Sequence, residues 1–154
     1  MSATATAAES ELNLVELCDV VEALRRGEFE KRLPTDGLTG RAGMVARGLN
    51  ATMEMLESFK AEHLRVADEI GTRGELGCTM EVYGAVGGWL RMLDATNRMS
   101  TGLTVELRRT SQALETLASG GQCEPLSSQM IRGEVAAMQQ HVNGVAERFR
   151  SRPQ

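Results

Sequence analysis

Apolar positions along this chain recur in steps of three and four, and the runs are broken by glycine-rich stretches. Leu14, Leu17, Val21 and Leu24 share one helical face and the pattern stops at Gly27, which predicts a first helix over about Leu12 to Arg26. Gly27 to Gly40 holds one proline and several glycines and reads as an extended connector. Stepping resumes at Ala42, Val45, Leu49, Thr52, Leu56, Phe59, His63, Val66 and Ile70, predicting a long helix over about Arg41 to Gly71. A second connector spans Gly74 to Gly88. Trp89, Met92, Thr96, Met99 and Leu103 carry the seam onward, and it slips before Thr110, Leu114 and Leu117 pick it up. A third interruption, about Ser119 to Gly133, precedes a last helix marked by Val135, Met138, Val142, Val145 and Phe149.

Self-similarity at a fixed period marks a stacked architecture. Gly27, Gly74 and Gly121 stand 47 residues apart; Gly40, Gly87 and Gly133 stand 47 and 46 apart, as do Asn50, Asn97 and Asn143. Three units of one kind are predicted, the third with a connector one residue shorter: residues 12–60, 61–107 and 108–150, with tails at 1–11 and 151–154. Extended chain advances about 3.3 Å per residue and helix only about 1.5 Å, so each connector can climb back along its first helix and leave the two helices of a unit parallel. Such a pair exposes a seam that a second copy of the chain can cover. The expected fold is therefore all-α: stacked parallel four-helix coiled-coil bundles in a homodimer. Its bundle core is expected at Leu17, Val21, Leu24, Val45, Leu49, Leu56, Met92, Met99, Leu103, Val135, Met138 and Val142, with Leu33, Leu38, Met80 and Val86 packing from the connectors.

These residues carry a resemblance. The chain resembles HAMP linkers, in a tandem array like those of soluble hybrid histidine kinases and chemoreceptors. The glycine, acidic, apolar opening of a HAMP connector is matched by Gly27-Glu28-Phe29 and Gly74-Glu75-Leu76, and loosely by Gly121-Gln122-Cys123. Arg132-Gly133-Glu134-Val135 matches the start of the second-helix signature and Asn97-Arg98-Met99 its tail; the stretch from Val66 to Met99 is similar to such arrays as a whole. The connector-exit glutamate is present at Glu134, whereas Arg41 and Gly88 stand at the corresponding places. The resemblance implies a signal relay acting on a histidine kinase or receptor-type signalling protein. A rigid dimerisation scaffold and an N-terminal input piece of a larger sensor kinase are the other readings.

Composition narrows the chemistry. Aromatic residues make up 3 % of the chain and methionine occurs nine times, which suits narrow helix seams more than a large globular core. Seventeen basic against 21 acidic residues, with no long basic run, argue against nucleic acid as a partner. No run approaches the roughly 18 apolar residues that span a bilayer, and the expected location is the cytoplasm. Cys18, Cys78 and Cys123 lack paired spacing, so reduced thiols are expected. His63 and His141 bring no constellation with them, and Trp89 reads as a bundle anchor. With no ligand cluster, nucleophile arrangement or phosphate loop, no cofactor, metal or enzymatic activity is expected.

Overall fold

The computed structural model describes residues 12–127 and 132–151. The predicted tail 1–11, residues 152–154 of the other tail and 128–131 of the third connector lie outside them. Regular structure among the described residues is helical throughout: α1 (Leu14–Arg26), α2 (Gly40–Ala67), α3 (Gly88–Ala118) and α4 (Glu134–Arg150), with a π-helical segment, Asp68–Thr72, continuing α2. No helix among them is long and apolar enough to cross a membrane. The described residues divide into two compact bodies, those up to Arg65 with Val82–Ala85, and Val66–Glu81 with those from Val86 onward.

In the first body α1 begins where Asn13 accepts the Val15 N–H at 3.0 Å, satisfying one of the free donors of the first turn. It ends at Gly27, whose φ of 78° is the left-handed conformation that a side chain resists. The Gly27 and Glu28 amides turn back to the Leu24 and Ala23 carbonyls, closing the helix end. The core draws on both helices and the connector between them: Val20, Leu33, Ala46 and Met53 are buried together, and Leu17, Leu24, Phe29, Leu38 and Leu49 pack around them. Gly43 admits the connector to the surface of α2, since an added Cβ would lie 2.5 Å from the Leu38 carbonyl oxygen.

In the second body α3 buries two different faces. Leu93, Ser100 and Thr104 line one, while Gly102, Glu106, Thr110, Ala113 and Leu117 line another. At about 100° per residue these faces stand roughly 140° apart around the helix axis. The switch falls in the stretch where the apolar seam slips. α4 closes onto the second face, with Val142 and Ala146 against Ala113 and Leu117.

The third connector differs from its reading in the sequence. Its left-handed turn is made by Gly120 (φ 79°), not Gly121. The Gly120 and Gly121 amides bond to the Leu117 and Thr116 carbonyls, as those of Gly27 and Glu28 do to Leu24 and Ala23. Gly120 is therefore the counterpart of Gly27, and the third connector is as long as the others. The odd residue lies in a helix: 24 positions separate Asn50 from Gly74 but 23 separate Asn97 from Gly120. The π segment Asp68–Thr72 takes up the extra one, because its wider turn spans five residues, as in the Arg73 N–H to Asp68 carbonyl bond of 2.9 Å.

Candidate functional site

Extended connectors have no neighbouring strand to satisfy their backbone polar groups, so those groups need other partners. Three asparagines supply them. Asn50 Oδ1 accepts the Leu33 N–H at 2.8 Å and Asn50 Nδ2 donates to the Leu33 carbonyl at 2.8 Å. Asn97 does the same for Met80, at 2.8 and 3.0 Å, and Asn143 for Leu126, at 2.7 and 2.8 Å. Each side-chain amide thus pairs with one residue's backbone as a neighbouring strand would. The asparagine stands 17 residues after its partner every time. The clamp fixes which connector side chain turns inward: Leu33 and Met80 are buried and Leu126 is half-buried. Leu126 is absent from the expected connector residues, although counting 17 back from Asn143 finds it.

Of the other expected connector residues, Leu38 is half-buried against the first core. Val86 does not pack inward; it is 69 % exposed, and Val82 is the buried valine. The Val86 carbonyl accepts the Trp89 and Leu90 amides at the start of α3, so its backbone belongs to the helix entry. Gly74 makes its turn as expected (φ 69°). Glu134 is the exposed first residue of α4, and Gly133 (φ 73°) makes the turn before it.

The expected bundle residues divide by exposure. Val142 is buried, and Leu17, Leu24, Leu49, Leu56, Val135 and Met138 are half-buried. Val21, Val45, Met92, Met99 and Leu103 lie on the surface of the single chain, Met92 and Met99 by 58 and 61 %. The chain's own core is offset around the helices, at Val20, Ala23, Ala46, Met53 and Leu93. Counterpart positions agree between repeats: Ala46, Leu93 and Gln139 are all buried, as are Met53, Ser100 and Ala146. A row of apolar side chains at coiled-coil spacing is left facing outward.

Ion pairs cover part of the first body's surface. Arg25 beside Glu22, Arg26 beside Glu28 and Lys60 beside Glu30 hold these carboxyls below their ordinary range through hydrogen bonds. The Lys60 ammonium also lies 5.5 Å from the Phe29 ring centre, and Arg32 meets Glu57 at 2.8 Å, tying connector to α2. His63, His141 and Cys18 are exposed; Trp89, Cys78 and Cys123 are half-buried. Among the described residues no three metal-ligating side chains gather. No family model matches this chain, and no solved structure matches it.

Proposed function

We propose that the chain is a signal relay of the HAMP kind, working as a parallel homodimer and passing a change in helix packing from repeat to repeat. The observation that carries this reading is the same asparagine clamp, made three times at one spacing, beside an apolar seam turned outward at Val45, Met92 and Met99. A second copy in parallel register would place like seam positions opposite each other and complete a four-helix bundle at each repeat. Because α2 with its π segment and α3 each serve two successive repeats, a rotation at one clamp has a continuous path to the next. Output falls to a partner of the histidine kinase or receptor signalling type. The setting is the cytoplasm, and the chain performs no chemistry of its own.

A rigid dimerisation scaffold is the competing reading, since two hydrogen bonds per connector also restrain movement. Single cysteines at Val45, Met92 and Met138, each in a background without Cys18, Cys78 and Cys123, test the arrangement. In-register parallel dimers form cross-chain disulfides at each position under mild oxidation. A chain that stays monomeric at micromolar concentration, or crosslinks at none of them, rules out the proposal.

A further inference from the structure

Glu106 on α3 and Gln139 on α4 are each 2 % exposed. Gln139 Nε2 donates to Glu106 Oε2, a direct polar link between the two helices. Thr110 Oγ1 donates to the Glu106 backbone carbonyl at 2.8 Å. Arg109, largely exposed, stands 3.7 Å from Glu106 Oε2 and donates to the Ser127 carbonyl. The layer is incompletely satisfied: Gln139 Oε1 is buried without a hydrogen-bond partner. A buried acceptor that gives up water and gains nothing in return destabilises the closed packing.

Repeat equivalence sharpens the anomaly. The counterparts of Gln139 are Ala46 and Leu93, both apolar and buried. The apolar hold on α4 is small: besides the Asn143 clamp on Leu126, its other buried side chains are Val142 and Ala146, against the core of Ala113 and Leu117 with Cys123 and Leu126 beside it. Its first turn also lacks a side-chain cap. Few apolar contacts together with unsatisfied polar groups mark the elements of a protein that open first.

We infer that the Glu106–Gln139 layer makes α4 the yielding element of the array, which parts from α3 as a unit while the first body stays folded. Opening returns Gln139 Oε1 to water and uncovers Val142, Ala146, Ala113 and Leu117 as an apolar surface. The opening is a local property of α3 and α4; only its use as an output rests on the relay reading.

Hydrogen exchange of the full chain, followed by mass spectrometry, tests this. Amides of α4 exchange at least tenfold faster than those in the middle of α1 and the first half of α2. Methionine matches the length of both side chains without their polar atoms, so E106M/Q139M slows α4 exchange at least tenfold. E106M or Q139M alone strands the remaining partner and speeds it. Equal protection of α4 and α1 in the unaltered chain overturns the inference, as does a double variant whose α4 exchanges as fast as before or faster. Neither readout depends on crosslinking between copies, so failure of the relay would register separately.

Discussion

Asn50 holds Leu33 by both of its backbone polar groups, one bond into the side-chain carbonyl oxygen and one out of the side-chain amide, each 2.8 Å long. Neither partner works alone. Leu33 enters the core of Val20, Ala46 and Met53 because its backbone is tied down, and Asn50 keeps a polar side chain half-buried on α2 because the connector returns to meet it.

Asn50→Ala strips the Leu33 N–H and carbonyl of their partners together. A loss of about 1–3 kcal/mol follows for polar groups left unpaired on burial, read as a lower urea midpoint. Asn50→Asp sets a carboxylate oxygen against the Leu33 carbonyl oxygen, two acceptors facing each other, so at neutral pH it recovers none of the loss. Asn97→Ala gives the same fall through Met80.

Met53 and Met99 lie on helices of the same type but differ in what covers them. Met53 is fully buried in its own chain, so Met53→Ala costs about 2–5 kcal/mol at any protein concentration. Met99 is 61 % exposed in the single chain. Met99→Ala should instead weaken self-association, seen in sedimentation as a dissociation constant that rises while unfolding of the dilute protein hardly changes.

Acid should loosen the first body. Glu22, Glu28 and Glu30 are held below their ordinary value of 4.5 by Arg25, Arg26 and Lys60 respectively. A carboxyl depressed in the folded state adds stability that is fully present above its unfolded value and is lost as pH falls through its folded value. Stability is thus flat above the glutamate range and declines below it. All three sites are exposed, so the decline is shallow and high salt flattens it. Glu30→Gln removes part of the slope, as urea midpoints taken across acidic pH would show.

Much of this arrangement was legible in the sequence. Helix and connector alternation follows from glycines and from apolar stepping, and Gly27 and Gly74 make the turns expected of them. Which face of each helix the single chain covers was not legible. Val45 and Met92 announce a seam by size, whereas the small Ala23 and Ala46 that the chain buries are silent in a pattern of large apolar residues. The third turn stands at Gly120, one residue before the position that the 47-residue spacing predicts; Gly120 and Gly121 are adjacent, and only the bonds to Leu117 and Thr116 distinguish them. The π segment likewise has no periodic signature, since it shifts a register within an unbroken helix. Gln139 occupies a position that apolar stepping passes over, so its burial against Glu106 emerged only from the packing.

Gly120→Ala offers a test of that corrected register. The left-handed backbone at Gly120 disfavours any side chain, by about 1–2 kcal/mol. Gly120→Asn, a residue that tolerates this conformation, should recover part of the loss in thermal unfolding.

The central claim is that the repeats are coupled, and crosslinking rate at one repeat after a change in another tests it most directly. With a single cysteine at Met92 in a background free of native cysteines, Leu33→Ala empties space in the first core, 2 % exposed in the unaltered chain, without touching the Met80 clamp of the second repeat. Coupling through the α2 helix and its π segment predicts that the cross-chain disulfide rate at position 92 changes severalfold, alongside the change at position 45 in the matching variant. A rate at position 92 that stays the same while the rate at position 45 shifts would contradict the relay and leave a rigid scaffold in its place.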